Sequence, residues 1–130
     1  MNIMHRVLNF NGKGRLMEYY HYTKSEEKDV TDYGSTKTTI RKLINPETAP
    51  NFIMRRFEIQ PGGNIGVHGH WNEHEIYVIE GEMDLIDKNG KKTHVTKDQF
   101  IYMPKDEPHG YENNSESKVV FLCVVPKKKQ

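Results

Sequence analysis

Short apolar segments separated by turn residues fill the chain from residue 38 onward, and this spacing most constrains the fold. Strands interrupted by Gly, Pro and Asn-Gly at intervals of about ten residues are typical of β-sandwiches and β-barrels. No segment repeats its apolar residues with the 3.6-residue period of an amphipathic helix. The sequence therefore predicts an all-β domain. Its candidate strands are Thr38–Ile44, Phe52–Ile59, Glu75–Ile79, Glu82–Asp87, Phe100–Met103 and Val119–Val125.

Turn residues indicate where these strands end. An Asn-Pro pair at 45–46 ends the first strand, and Pro-Gly-Gly at 61–63 ends the second. The Asn-Gly pair at 89–90 predicts a hairpin turn of type I′, because both central residues of that turn need a positive φ. The apolar run at 119–125 is rich in β-branched residues, which indicates a buried central strand.

The 130 residues suffice for one domain with a single core. We expect a barrel at residues 37–126, preceded by an arm at 1–36 that packs on the barrel or on a partner chain. Residues 127–130 form a basic tail. The 19 basic and 18 acidic residues leave a net charge of +1. A charge so small provides no positive electrostatic field that would attract a nucleic acid.

The cysteine count and the hydropathy indicate in which cellular compartment the chain is expected. The single cysteine, Cys123, excludes a disulfide within the chain. The N-terminus lacks the apolar run of a secretory signal, and no stretch approaches the roughly 20 apolar residues of a membrane-spanning helix. We therefore expect a cytoplasmic protein that binds no membrane.

Three of the seven histidines lie close together after a predicted strand, in the pattern H-x-H-x3-H. Side chains two residues apart in a strand point to the same face, so His68 and His70 can share one metal ion. His74 follows a break long enough for the chain to turn back, and His109 lies 35 residues further on. The pattern predicts a metal site inside a small barrel. Three histidines have no such context: His5, His21 and His94.

Two segments around these histidines have a recognisable spacing. The first reads G-x5-H-x-H-x3-H-x6-G from Gly62 to Gly81, and the second has its proline, histidine and asparagine at Pro104, His109 and Asn113. They resemble the two motifs of the cupin superfamily. The second motif has glycines where this chain has aspartates, at 98 and 106. The resemblance covers about residues 38–126 and implies a double-stranded β-helix, which is a jelly-roll barrel.

The resemblance also implies a further ligand after His70, where the family has a carboxylate. His74 and Glu75 are the two candidates for this position. With His74, three residues follow His70 and six precede Gly81, as in the motif, whereas Glu75 leaves four and five. We therefore expect the all-histidine site of the small single-domain cupins. Its ligands are His68, His70, His74 and His109.

Four neutral imidazoles leave a divalent ion its full charge, which strengthens it as a Lewis acid, and an octahedral ion keeps two open positions. The resemblance implies manganese or iron, although imidazole also suits zinc, nickel and copper. Because only neutral imidazole binds a metal, we expect the metal affinity to fall below about pH 6.5.

Other pocket residues follow from the faces of the predicted strands. Arg55 interrupts an apolar face; inside the barrel it would bind a carboxylate or enolate, and at the rim it would pair with an acid. Tyr111 and Asn113 share a face with His109 and are expected at the mouth of the pocket. Cys123 shares a face with apolar residues and is expected to be a small core residue rather than a reactive one.

The leading functional hypothesis is a metal-dependent enzyme of the dioxygenase or isomerase type. It would act on a small organic molecule by oxygen-dependent cleavage or by isomerisation through an enediolate. The alternative is a non-catalytic module that binds or senses a small ligand through its metal; a storage-type cupin ranks last because the duplicated barrel is absent. No general base stands out, although Glu73 and Glu75 flank the ligands. The outward Tyr77 and Ile79 predict a homodimer.

Overall fold

The computed structural model describes the backbone of residues 5–8, 16–45, 47 and 49–127, and the side chains from Met17 onward. The His5 side chain, residues 128–130 of the predicted tail and much of the predicted arm lie outside this description. No helix in the described ranges is long and apolar enough to cross a bilayer. The strands are β1 His5–Leu8, β2 Leu16–Tyr19, β3 Glu27–Asp29, β4 Thr36–Ile44, β5 Phe52–His68, β6 His74–Glu80, β7 Glu82–Asp87, β8 Lys92–Thr96, β9 Phe100–Met103, β10 His109–Glu112 and β11 Val119–Pro126.

Strands β3 to β11 form one antiparallel sheet, while β1 and β2 form a separate hairpin. The order is β8-β7-β10-β5-β11-β6-β9, with β4 also pairing with β5, and β3 with β4. As predicted, β11 is a buried central strand, between β5 and β6. The all-β prediction is confirmed. The core between the curled halves of the sheet includes Ile59, Val78, Val119, Phe121 and Val125.

Part of the predicted arm lies against the barrel. Strand β3 pairs with β4, and the Arg56 guanidinium of β5 lies 3.8 Å from the centre of the Tyr22 ring. A short 3-10 turn at Asp32–Gly34 then leads directly into β4. These contacts bring residues 27–34 next to the sheet. The division at residue 36 and a contact of the arm with a partner chain stay predictions.

The predicted end of β5 at Ile59 is wrong, because the strand continues through Pro-Gly-Gly to His68. Gly62 has a φ of +81°, which bends the strand without breaking it. The Gly62 N–H donates to the Asn113 carbonyl, and the Asn113 N–H donates to the Gly63 carbonyl. Before the bend β5 pairs with β11, and after it with β10. The glycines therefore form a corner at which the strand changes partner.

The predicted hairpin between β7 and β8 forms, but its turn is not of type I′. Within this loop, which the structure describes completely, only Gly90 has a positive φ. The Gly90 N–H donates to the Asp87 carbonyl, and the Asp87 N–H donates to the Lys91 carbonyl. This is the three-residue hairpin in which a type I turn is followed by a left-handed glycine. The Asp87 carboxylate accepts from the N–H groups of Asn89 and Lys91, which favours that turn.

Both aspartates that stand in for motif glycines adopt the left-handed conformation that glycine favours. The φ angle is +68° at Asp98 and +63° at Asp106. Aspartate enters this region more readily than most residues, because its short polar side chain can hydrogen-bond locally. The turn geometry of the motif is thus retained without its glycines.

Candidate metal centre

Three strand ends and one loop bring the histidines together. His68 ends β5 and lies opposite His109, which begins β10, in the ladder between these strands. His70 follows in the connection to β6, where its carbonyl accepts from the Asp106 N–H at 2.6 Å. The ligand nitrogens of His68, His70 and His109 all lie within 4.8 Å of one another. That separation is compatible with three ligands around one ion.

His74 lies beside this trio but outside the 4.8 Å set. It is the first residue of β6 and is 4% exposed. Its ring centre lies 4.7 Å from that of His70 and 5.3 Å from that of His109. Its Nδ1 lies 3.4 Å from the Cys123 Sγ. The geometry therefore assembles three histidines and leaves His74 as a neighbour whose ligation is a proposal.

Backbone carbonyls determine the protonation of two imidazoles. The Nδ1 of His68 lies 2.6 Å from the Gly66 carbonyl, and that of His109 lies 2.8 Å from the Glu107 carbonyl. A carbonyl only accepts, so each Nδ1 carries the proton and each Nε2 keeps a free lone pair. This is the arrangement found in metal-ligating histidines. The donor set therefore fits a divalent transition-metal ion.

Burial favours the neutral form of three of these imidazoles. It lowers the pKa of His70 to about 4, aided by the charges of neighbouring His68 and His109. Burial and the nearby Arg55 guanidinium lower the pKa of His74 to about 3, and burial also lowers the pKa of His109. Protons therefore compete with a metal at His70 and His74 only well below pH 6.5, at lower pH than the sequence indicated.

The histidines open onto a cavity of about 320 Å³. Arg55, Tyr111 and Cys123, the three predicted pocket candidates, all line it together with the four histidines. A larger groove of about 760 Å³ lies between the arm and β4, but none of these histidines lines it. The smaller cavity is at the lower end of the size range of small-molecule sites.

Arg55 points into the barrel rather than pairing with an acid at the rim. Its Nη2 donates to the Cys123 Sγ at 3.0 Å, and its guanidinium carbon lies 5.2 Å from the centre of the Phe57 ring. Among the described residues, no carboxylate lies within ion-pair distance of it. Its Nε is buried and has no hydrogen-bond partner in the part of the chain that the structure describes. A half-buried guanidinium with a free donor is suited to an anionic ligand.

Tyr111 is deeply buried rather than at the mouth. It is 3% exposed, its ring packs edge-on against His109, and its hydroxyl has no hydrogen-bond partner in the described structure. Burial raises the pKa of this hydroxyl well above its usual value, so it remains a donor. The expectation that Asn113 lines the mouth is wrong. Its amide donates to the carbonyls of Ile59 and Ser117, which holds the β10–β11 loop.

The remaining candidates lie away from the cavity. Glu75 is exposed on the opposite face of β6, and neither it nor Glu73 lines the cavity. Burial and the neighbouring Glu73 raise the pKa of Glu75 to about 7. His94 pairs with Asp84 at 2.8 Å on the outer face of the β7–β8 hairpin. His21 bonds the Thr23 hydroxyl in the arm.

Sequence reasoning missed one wall of the cavity, which the predicted arm supplies. Asp29, Val30, Asp32 and Tyr33 all line it. The Tyr33 ring is parallel to the His68 imidazole, with 4.1 Å between the ring centres. No spacing in the sequence links this segment to the histidines, because the pairing of β3 with β4 brings it there.

Comparison with known proteins identifies the family. The sequence profile of the Cupin domain matches residues 55–125, more than half of the chain. The chain therefore belongs to the cupin domain family. Its predicted double-stranded β-helix is confirmed by this match and by the solved structures it resembles.

The individual proteins that the chain resembles have different names and described functions. The chain is similar in structure to the polyketide cyclase RemF from Streptomyces resistomycificus, with 36% identity and a TM-score of 0.80 over 87% of this chain and 81% of that one. A predicted oxalate decarboxylase from Thermotoga maritima shares the fold at 23% identity and a TM-score of 0.71, over 82% and 96% of the two chains. An oxalate-binding protein from the same organism is 27% identical over 71% of this chain and 78% of its own length.

Proposed function

We propose that this chain is a metal-dependent enzyme that acts on a small organic molecule bearing a carboxylate or carbonyl group. One observation carries the proposal: the histidine trio opens onto a cavity in which two buried donors, the Arg55 Nε and the Tyr111 hydroxyl, have no partner among the described residues. A buried donor without a partner destabilises the fold, so its retention indicates a ligand that accepts from it.

The proposed metal site comprises four histidines. For His74 to ligate through Nε2, its Nδ1 must carry the proton and direct it at the Cys123 Sγ, which also accepts from Arg55. A divalent ion there would supply Lewis acidity to an oxygen of the substrate. Manganese or iron is our first expectation, with zinc, nickel or copper as alternatives. The proposed ligands are His68, His70, His74 and His109.

The chain's own groups bind and orient the substrate. The Arg55 guanidinium, always charged, pairs with a carboxylate or with the oxyanion of an enolate. The Tyr111 hydroxyl, kept protonated by burial, donates to a second substrate oxygen. Phe57 and Phe121 form an apolar wall that excludes water from this end of the cavity.

The type of reaction is proposed from the chemistry of a similar protein. A polyketide carries repeated carbonyl groups, so the similarity to a polyketide cyclase favours chemistry at a carbonyl. Isomerisation through an enediolate belongs to that class, whereas oxygen-dependent cleavage needs a redox-active ion. We therefore place isomerisation or related enolate chemistry first and oxygen-dependent cleavage second.

A second candidate function is a non-catalytic binding module. The similarity to an oxalate-binding protein supports it, since a dicarboxylate would satisfy both Arg55 and Tyr111. In this case the metal would hold the ligand without turning it over. Binding and catalysis share the same donors, so only turnover distinguishes them.

The deciding experiment begins with metal analysis of the purified chain. The loaded protein is then incubated in D₂O with α-keto acids and simple ketones, whose C–H groups beside the carbonyl exchange slowly without a catalyst, and deuterium uptake there is followed by NMR beside oxygen consumption. We expect catalysed deuterium uptake that His68→Ala abolishes and His94→Ala preserves. Tight oxalate binding without deuterium or oxygen uptake would instead establish the binding module. Equal metal content in both variants would contradict the proposed site.

We also propose that the chain forms a homodimer. Four large apolar side chains are exposed on the outer face of neighbouring strands β6 and β9, where Tyr77 lies opposite Phe100. Such a patch is typical of an interaction surface. Its members are Tyr77, Ile79, Phe100 and Tyr102.

A further inference from the structure

Tyr33 contacts the histidine cluster from the arm side of the cavity. Its ring stacks on the His68 imidazole with an angle of 2° between the planes, and it lies edge-on to His70 with 6.4 Å between ring centres. The side chain is 58% exposed, so burial in the core does not explain its position. The described structure shows no hydrogen bond to its hydroxyl. The ring contacts of Tyr33 are therefore with two of the proposed ligands.

The backbone of Tyr33 is strained. Its φ is +60° and its ψ is 26°, a left-handed conformation that a bulky aromatic residue rarely adopts. Such strain persists only where the surrounding structure imposes it, and it is concentrated at functional sites. Gly34, the next residue, also has a positive φ. A residue that tolerates this conformation, such as glycine or asparagine, would relieve the strain but could not stack on His68.

The turn that carries Tyr33 is fixed to β5. The Ser35 hydroxyl donates to the Asp32 carbonyl at 2.6 Å and accepts from the Gly66 N–H at 3.2 Å. The Tyr33 carbonyl lies directly against Gly66, where a Cβ would collide with it. Gly66 also supplies the carbonyl that accepts from the His68 Nδ1. The same stretch of β5 therefore positions both rings of the stacked pair.

We propose that Tyr33 is a positioning residue that holds the His68 imidazole in its ligating orientation; this rests on the proposed metal function. The hydrogen bond to the Gly66 carbonyl restricts how the imidazole turns within its own plane. The stacked Tyr33 ring restricts how the imidazole tilts out of that plane. An imidazole that ligates a divalent ion becomes electron-poor, and the face of a phenol ring attracts positive charge. The stacking is therefore stronger with the ion bound than without it, which makes Tyr33 a determinant of metal affinity.

The test measures the affinity of the metal-free full chain for Zn²⁺ and Mn²⁺ by chelator competition. In Tyr33→Asn, which suits the left-handed backbone but lacks the ring, we expect affinity to fall about three- to tenfold. Tyr33→Phe retains the ring and is expected to stay within about twofold of the wild type. Tyr102→Asn is the matched control, because Tyr102 is similarly exposed but lies on the outer face of β9.

Unchanged affinity in Tyr33→Asn, with a wild type that binds metal, overturns the proposal and leaves the metal function intact. A wild type that binds neither ion refutes both. Tyr33→Gly, which also suits a positive φ, repeats the test if the asparagine variant folds poorly. Ring-proton NMR signals of His68 provide a readout that needs no metal. They should move downfield when the Tyr33 ring is removed and keep their positions in Tyr33→Phe; no movement on removal contradicts the stacking.

Discussion

At the scale of single residues, the candidate site depends on which polar atoms have partners. The Nδ1 atoms of His68 and His109 bond backbone carbonyls, which leaves their Nε2 atoms free for a ligand. Across the cavity, the Tyr111 hydroxyl and the Arg55 Nε are buried and have no partner within the described structure. Under the proposed function, the first group would hold a metal ion and the second would bind an oxygen-bearing molecule.

The Tyr111→Phe variant is expected to change stability and ligand binding in opposite directions. Removing a buried hydroxyl that has no partner removes its desolvation penalty, so we expect the free energy of unfolding of the metal-free chain to rise by about 1 kcal/mol. Binding of oxalate or turnover of a keto substrate is expected to weaken by about tenfold, because one donor is lost.

Urea unfolding and ligand titration of the same protein check both parts. Tyr77→Phe is the control, since its hydroxyl is on the exposed face and bonds Asp98 at 3.3 Å. It should leave ligand binding unchanged. A Tyr111→Phe variant that unfolds more easily and binds ligand normally would show that the hydroxyl has a structural partner instead.

At the scale of elements, β5 belongs both to the core of the barrel and to the histidine site. Its first half pairs with β11 in the core, and its second half pairs with β10 and ends at His68. The glycines at 62, 63 and 66 allow the bend and the close approach of the Asp32–Gly34 turn. Their lack of side chains is what lets this strand bend between its partners and contact the Asp32–Gly34 turn.

Gly66→Ala tests this close approach. The added methyl group would collide with the Tyr33 carbonyl, so the turn must move away from β5. We expect a loss of about 1–3 kcal/mol in the free energy of unfolding, as for overpacked sites. The matched variant is Gly69→Ala, where the nearest atom to a new Cβ is the Asp106 carbonyl oxygen at 3.4 Å.

Thermal and urea unfolding of the two variants give the comparison. Gly69→Ala should stay within about 0.5 kcal/mol of the wild type, as substitutions without a steric conflict do. Equal stability of both variants would mean that the turn is not seated on Gly66 in solution.

At the scale of the whole molecule, the buried imidazoles make stability depend on pH. The folded pKa of His70 is about 4 and that of His74 about 3, below the value of about 6.5 in an unfolded chain. Between these values the unfolded chain binds more protons than the folded one, so stability decreases as the pH falls. We expect the metal-free protein to be less stable at pH 5 than at pH 7.

Urea unfolding at both pH values, with a chelator present, measures this effect. His74→Asn removes one buried imidazole and should reduce the difference between the two pH values. A bound ion adds stability by mass action and should raise the stability at pH 7 with the logarithm of its concentration once that exceeds the dissociation constant. A metal-free chain that is equally stable at both pH values would contradict the burial of these rings.

The exposed apolar face of β6 and β9 leads to a prediction about assembly. Phe100 is 78% exposed and lies opposite Tyr77, so two copies that cover this face would bury both rings. We expect sedimentation equilibrium to give twice the 15.2 kDa mass of one chain. Phe100→Ser should shift the protein toward the monomer, whereas Tyr33→Phe, outside this face, should not. A wild-type mass near that of one chain would exclude the dimer.

Much of the fold could be predicted from the sequence because its signals are local. Turn residues and β-branched runs located β4, β6, β7, β9 and β11 to within about two residues. The motif spacing indicated that His68, His70 and His109 form one cluster, although His70 lies beyond the end of β5 and not in a strand, as the periodicity had assumed. The end of β5 and the turn at 88–90 were wrong, because pairing with distant strands and an Asx-type bond outweighed the local preference.

Tertiary structure alone decided how the site is completed. Pairing of β3 with β4 brings Tyr33 over His68, and pairing of β10 with β5 buries Tyr111 beside His109. The contact between Tyr33 and His68 joins segments that are distant in the sequence, and the burial of Tyr111 depends on the strands around β10, so no local pattern encodes either. By itself the sequence indicated six strands of the main sheet and the histidine spacing, which depend on neighbouring residues. Only the assembled barrel decided which polar atoms are buried without partners, because burial depends on every element that surrounds an atom.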